Sequence, residues 1–181
     1  MTNTKPIAVL QGGSGGLIQR LLGQFVEHHR ATWRLAGVIE IGHVENAGRK
    51  AMLNTVGDGR TFNLFQDLGS ASQSCAMRAD ALVKACQHVC DHIAQGCDLV
   101  ILSKFAKLEA EEGSGLTAAI AAAMDADIPL LTSVPPKFDG AWARFAAPFF
   151  VTLPPDMAAI DQWWTAVCAR RSTNDAPLYA A

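Results

Sequence analysis

The chain has 181 residues, of which 50% are hydrophobic and 18% are charged, and its formal net charge is −2. This length indicates one domain with a full core, and the near-neutral charge argues against nucleic acid or an anionic membrane as a partner. Since no apolar run reaches the length of a membrane span and the first residues lack the features of a signal peptide, we expect a cytoplasmic protein.

The first predicted elements are a strand, a glycine-rich turn and a helix. Residues 7–10 form a short apolar run that is typical of a strand buried on both faces, and helical spacing of apolar residues begins at Leu17. The turn between them has almost no side chains and consists of Gly12, Gly13, Ser14, Gly15 and Gly16. Such a turn exposes N–H groups at the positive end of a helix, which favours an anion, but a tight turn without a ligand explains the glycines equally well.

The next segment predicts a strand followed by a β-hairpin. Residues 35–41 are apolar and strand-like, and residues 50–56 and 60–65 flank a Gly-Asp-Gly turn at 57–59. Asp-Gly between two strand-like runs is typical of a hairpin, because glycine accepts the positive φ of the turn. The small, polar residues 66–77 then predict a loop.

Helices and buried strands alternate in the rest of the chain. Apolar periodicity predicts helices over residues 80–95, 116–126 and 156–171, with a short one after Pro136. Short apolar runs predict strands over residues 99–102, 128–133 and 149–153. This alternation is typical of an α/β three-layer sandwich with a mostly parallel sheet, into which the β-hairpin is inserted. We expect one such domain over residues 1–171 and a flexible tail over 172–181.

The carboxyl ends of the predicted strands indicate where a ligand would bind. In an open parallel sheet, ligands lie beyond these ends, where the strand order reverses. Four segments should meet there, namely residues 11–16, 66–67, 103–107 and 133–137. The predicted site therefore combines the glycine turn with polar residues that follow other strands.

Several strings along the chain resemble a bacterial family of unknown function. They are IAVLQGGSGG, LAGVIEI, DGRTFNLFQDLG, CDLVILSKFAKLEAEEGSGL and IPLLTSVPPK, of which QDLG and LSKFAKLEAE are the most specific. Members of this family often carry the name molybdenum ABC transporter ATP-binding protein. The family in turn is similar to thermophile-type nucleoside-triphosphatases of the P-loop class, and this resemblance implies a P-loop NTPase type of fold.

The chain departs from the triphosphatase pattern at the positions that carry catalysis. That pattern has a phosphate-loop lysine and threonine, and an Asp-Glu pair after a strand that holds magnesium and orients water. Here the phosphate-loop pair aligns on Ser14 and Gly15 within a residue, and the acidic pair aligns on Ser103 and Lys104. Because phosphoryl transfer depends on charge neutralisation by lysine and Mg²⁺, the departures imply a P-loop protein without the usual hydrolysis.

Replacement of an acid by Lys104 favours an anion over a divalent cation. The glycine amides on one side and Lys104 on the other would hold a nucleotide, phosphate or molybdate, with molybdate suggested by the family name alone. The predicted binding residues are Gly12, Gly13, Ser14, Gly15, Gly16, Ser103, Lys104, Lys107 and Asp67. In the alternative interpretation, Lys104 forms an ion pair with Glu109, Glu111 or Asp67 and the pocket is vestigial.

The sequence thus leaves three functions open. The first is a non-hydrolysing binder of an oxyanion or nucleotide, acting as a sensor or accessory protein in molybdenum metabolism. The others are a slow nucleoside-triphosphatase completed by a partner subunit, and a scaffold that binds no small molecule. The partners considered are a small anion, a second copy of the chain and a protein of the molybdenum pathway.

Two residue pairs at metal-ligand spacing lie on the predicted helix 80–95. They are Cys86 and Cys90, and His88 and His92. Cys86 shares the apolar face of the helix, so we expect its side chain in the core. We interpret all five cysteines of the chain as reduced thiols. The histidines share the polar face, where a solvated pair is favoured over a metal site because no third ligand is evident. Cys75, in the predicted loop, is the one cysteine open to a reactive role, but an ordinary loop thiol is favoured because Arg78 is its only basic neighbour in the sequence.

Overall fold

The computed structural model describes residues 4–45, 48–64 and 79–174. Within these residues one sheet has the strands β1 (Ile7–Leu10), β2 (Leu35–Glu45), β3 (Gly48–Thr55), β4 (Thr61–Asn63), β5 (Leu99–Leu102), β6 (Leu130–Ser133) and β7 (Phe150–Leu153). The helices are α1 (Gly15–His29), α2 (Ala79–Gln95), α3 (Lys107–Glu112), α4 (Thr117–Asp125), α5 (Asp139–Ala146) and α6 (Met157–Asn174). The loop predicted over residues 66–77, with Asp67 and Cys75, lies outside the described residues.

The sheet is mixed, with the strand order β4-β3-β2-β5-β6-β1-β7. Strands β2, β5, β6, β1 and β7 are parallel neighbours, whereas β2, β3 and β4 pair antiparallel. The mostly parallel α/β sheet and its hairpin insertion are therefore confirmed. Strand β2 is longer than the predicted residues 35–41, because its second half pairs with β3 and continues the meander away from the parallel core.

Alternate residues of the central strands face opposite helical layers. Ala8 and Leu10 pack in a cluster with α1 and α6, while Ile7 and Val9 pack in a cluster with α2, α4 and α5. All of these strand side chains are buried, which is why the strands read as continuous apolar runs. No helix in the described part of the chain is both long and apolar enough to traverse a bilayer.

Gly37 marks a close approach between β2 and β5. It pairs with Ile101, its φ is +132°, and a Cβ added there would lie 1.8 Å from the Ile101 carbonyl oxygen. The Ile101 carbonyl belongs to the backbone of a paired strand, so it cannot move aside without breaking the pairing of β2 with β5. Gly42, in the same strand, has nothing within 4 Å of the corresponding position.

We expect Gly37→Ala to lower the free energy of unfolding by about 4 kcal/mol or more, since strain and lost pairing add. Urea unfolding followed by circular dichroism measures this. Gly42→Ala is the matched control, with an expected change of less than about 1 kcal/mol. Equal losses in the two variants would contradict the close approach of the strands.

Candidate functional site

The glycine-rich turn joins β1 to α1 at the carboxyl edge of the sheet. Before it, the Gln11 N–H donates to the Leu153 carbonyl of β7 at 3.1 Å. Gly12 has φ +94°, a conformation that other residues rarely adopt. Ser14 is the N-cap of α1, with extended backbone (φ −67°, ψ 151°), and its Oγ accepts from the Leu17 N–H at 3.2 Å. The serine thus satisfies one of the free amides of the helix.

Pro155 covers the first half of the turn and leaves the second half open. A Cβ added at Gly13 would lie 3.0 Å from the Pro155 ring, whereas one added at Gly15 would meet nothing within 4 Å. Gly15 and Gly16 are exposed, and their N–H groups donate to no other residue in the described ranges. Since α1 has no acidic residue in its first turn, its positive end is not neutralised there.

A cation that the sequence analysis overlooked lies near Gly16. An Arg20 Nη1 atom is 3.9 Å from the Cβ position of Gly16. Arg20 is exposed, and no ion pair or hydrogen bond joins it to another described residue. The spacing of four residues from Gly16 is the signal that could have identified it, because helical side chains lean toward the N-terminus of their helix.

The loop after β6 meets the glycine turn, as the sequence predicts. The Gln11 Nε2 donates to the Val134 carbonyl at 2.9 Å and also to the Asp139 carboxylate. Asp156 caps α6, where its Oδ2 accepts from the Ala159 N–H at 3.2 Å. The carboxylates on this side of the turn therefore already accept hydrogen bonds from the protein.

Lys104 is held by an acid on the neighbouring strand. Its Nζ lies 2.7 Å from Glu40 Oε2 of β2, an ion pair as in the alternative interpretation but with a partner that interpretation did not name. Ser103 is 3% exposed, and its carbonyl accepts from Gln19 Nε2 and from Ser133 Oγ, both at 2.8 Å. These residues are tied into the edge of the sheet by internal bonds.

The structure separates the predicted site into two groups. A cavity of about 210 Å³ is lined by Ser103, Lys104 and Lys107, together with Glu40 and several leucines. No glycine of residues 12–16 lines this cavity. The three residues after β5 thus line one cavity together, and the glycine turn is not part of that lining.

Residues 7–163 match a family described as protein of unknown function, DUF2478. The chain belongs to this family. The molybdenum import ATP-binding protein ModC 2 of Bradyrhizobium diazoefficiens is 33% identical over 156 residues, which make up 84% of this chain and 17% of that protein. This chain therefore spans a small part of that relative's length.

The fold is shared with a solved structure. The crystal structure of THEP1 from the hyperthermophile Aquifex aeolicus superposes with a TM-score of 0.59 at 14% sequence identity, over 89% of this chain and 95% of that chain. This similarity confirms the P-loop NTPase type of fold that the sequence predicts for the DUF2478 chain.

The histidine pair on α2 is not simply solvated, which corrects the sequence interpretation. The His88 Nε2 lies 3.0 Å from Asp58 Oδ2, in the turn between β3 and β4, and the His88 side chain is 15% exposed. The ring of His92 lies 4.4 Å from that of His88 between centroids. Asp58, which the sequence analysis treated as a turn former alone, adds a third potential metal ligand beside the two histidines.

Glu109 stabilises the segment that follows Lys104. The sequence predicts no helix here, but α3 begins at Lys107, and Glu109 Oε2 accepts from the Ala106 N–H at 2.9 Å. Its Oε1 accepts from the Leu116 N–H at 2.9 Å, and the residue is 9% exposed. Glu109 thus joins the starts of α3 and α4 and does not pair with Lys104.

We expect Glu109→Ala to lower the free energy of unfolding by about 2–4 kcal/mol, because two amides at poorly solvated positions lose their acceptor. Chemical denaturation measures the change. Glu112→Ala, at the exposed end of the same helix, is the control and should change stability by less than about 0.5 kcal/mol. A Glu109 variant as stable as the control would refute the assigned role.

Proposed function

We propose that this DUF2478 chain binds a small oxyanion, or the phosphate of a nucleotide, at the N-terminus of α1 and does not hydrolyse it. The observation that carries this proposal is the exposed pair of amides at Gly15 and Gly16, with an Arg20 Nη1 atom 3.9 Å from the position that a Cβ would take at Gly16. This assigns to Arg20 the role that the sequence interpretation assigned to Lys104.

Amides and guanidinium suit the same ligand. The N-terminus of a helix carries about half a positive charge, which at an exposed site contributes about 0.3–1 kcal/mol. An arginine can add two parallel hydrogen bonds to the oxygens of a phosphate-like group. Both contributions are solvent-exposed, so we expect weak affinity, with a Kd between about 10 μM and 1 mM.

The residues after β5 support the absence of Mg²⁺-dependent hydrolysis. A P-loop NTPase needs a metal ion that neutralises charge on the transferred phosphoryl group. Ser103 and Lys104 occupy the positions that hold the acidic pair in the triphosphatase pattern, and Lys104 places an ammonium group there beside Glu40. The position therefore offers no carboxylate of its own to hold Mg²⁺, and the nearby carboxylate of Glu40 is already paired with Lys104.

A role in molybdenum metabolism is part of the proposal. Its support is the printed name of the relative from Bradyrhizobium diazoefficiens, which refers to molybdenum import and to ATP binding. Because this chain corresponds to 17% of that protein, the name describes mostly sequence that has no counterpart here. Molybdate and phosphate are both tetrahedral dianions, so one site of amides and a guanidinium suits either, in a sensor or accessory protein.

Calorimetry with phosphate, molybdate, ATP and GTP, each with Mg²⁺ and with EDTA, tests the site. The decisive variant is Gly15→Pro, which removes one N–H at the first helical position. Proline is tolerated there, and Ser14 already has the extended backbone that must precede it. We expect at least one of these ligands to bind in EDTA and to bind about tenfold more weakly to Gly15→Pro and to Arg20→Ala, through lost charge-assisted bonds.

Matched variants define the alternatives. Gly15→Ala keeps the N–H and has open space for its methyl group, so it should bind like the wild type. Lys104→Ala should also bind like the wild type. If only Lys104→Ala lost affinity, the ligand would bind at Lys104 and not at Arg20. Mg²⁺-dependent release of phosphate from ATP would identify a triphosphatase, and no heat with any ligand would identify a scaffold.

A further inference from the structure

The turn between β3 and β4 meets α2 at a cluster of possible metal ligands. His88 and His92 are one helical turn apart on α2, and Asp58 approaches them from the hairpin. One ligand atom from each of the three residues can be chosen so that all lie within 4.8 Å of one another. Within the described ranges, this is the only such group of three or more His, Cys, Asp or Glu side chains.

Neighbouring groups hold Asp58 in place. The hydroxyl of Thr55, a residue that is 3% exposed, donates to Asp58 Oδ1, so Oδ2 is the oxygen that faces His88. The carboxylate is therefore oriented by a neighbouring hydrogen bond, as metal-binding carboxylates generally are.

His92 lies beside the hairpin but makes no hydrogen bond to its described residues. A Cβ added at Gly57 would lie 3.1 Å from His92 Nδ1, so the glycine leaves room for the ring. No hydrogen bond joins the ring nitrogens of His92 to any other residue that the structure describes. An Asp58–His88 ion pair alone gives no reason for this second imidazole to face the same turn.

We propose that Asp58, His88 and His92 bind one Zn²⁺ ion, which links the β3–β4 turn to α2. Two imidazoles and one carboxylate are a common set for Zn²⁺, whereas Mg²⁺ and Ca²⁺ prefer oxygen ligands. Ligands at Zn²⁺ distances in a tetrahedron lie about 3.3 Å apart. The His88–Asp58 distance of 3.0 Å is close to that value, and all three ligand atoms already lie within 4.8 Å of one another.

The candidate group contains no cysteine: among the described residues, the side chains that meet the ligand geometry are Asp58, His88 and His92. Three protein ligands leave a fourth position for water. The proposal is also independent of the anion site, since the two share no residue.

The test uses the full chain after treatment with EDTA and dialysis. Zn²⁺ titration by calorimetry should give one site per chain, and Co²⁺ should give visible absorption without the intense near-ultraviolet bands of thiolate ligands. We expect His92→Gln to weaken Zn²⁺ binding at least about tenfold. This variant removes no hydrogen bond within the described part of the chain, so a loss of affinity reports on the metal and not on folding.

Asp58→Asn should weaken binding similarly, while His28→Gln, which replaces an exposed histidine on α1, should bind Zn²⁺ like the wild type. The proposal is overturned if the wild type binds no Zn²⁺, if His92→Gln binds it unchanged, or if Co²⁺ shows thiolate bands. In the first case Asp58 and His88 form an ion pair only.

Discussion

The side-chain amide of Gln19 links α1 to two strands at the edge of the sheet where the candidate site lies. Its Oε1 accepts from the Glu40 N–H and its Nε2 donates to the Ser103 carbonyl, both at 2.8 Å. Polar backbone groups at a part-buried strand end need such partners. By supplying them, Gln19 fixes the position of α1, and hence of the glycine turn, relative to β2 and β5.

The two cations of this region, Lys104 and Arg20, differ in whether an acidic side chain neutralises their charge. Glu40 is held at its backbone by Gln19, and its carboxylate pairs with Lys104. The charge of Lys104 is thereby neutralised within the protein. Arg20, one position further along α1 than Gln19, has no acidic partner among the described residues and lies near Gly16. Among the described residues, Arg20 is thus a cation without an acidic partner, whereas Lys104 is compensated by Glu40.

The candidate anion site and the candidate metal site lie on different elements. In P-loop enzymes the metal contacts the same phosphates that the loop binds, which is how it assists phosphoryl transfer. Here the anion donors belong to the turn before α1, whereas the proposed Zn²⁺ ligands belong to α2 and the β3–β4 turn. An ion bound by Asp58, His88 and His92 would thus stabilise the hairpin against α2 and would not take part in chemistry at the glycine turn.

Local patterns in the sequence determined the fold. Continuous apolar runs identified the buried strands and the Asp-Gly turn identified the hairpin, whereas the departures at Ser103 and Lys104 could be recognised only through the resemblance to the triphosphatase pattern. Only the tertiary structure decided which groups meet: Lys104 with Glu40, Arg20 with Gly16, and Asp58 with His88. Spacing along a helix or strand fixes which face a side chain occupies, but its partner depends on how separate elements pack, and that is set by contacts between residues far apart in the chain.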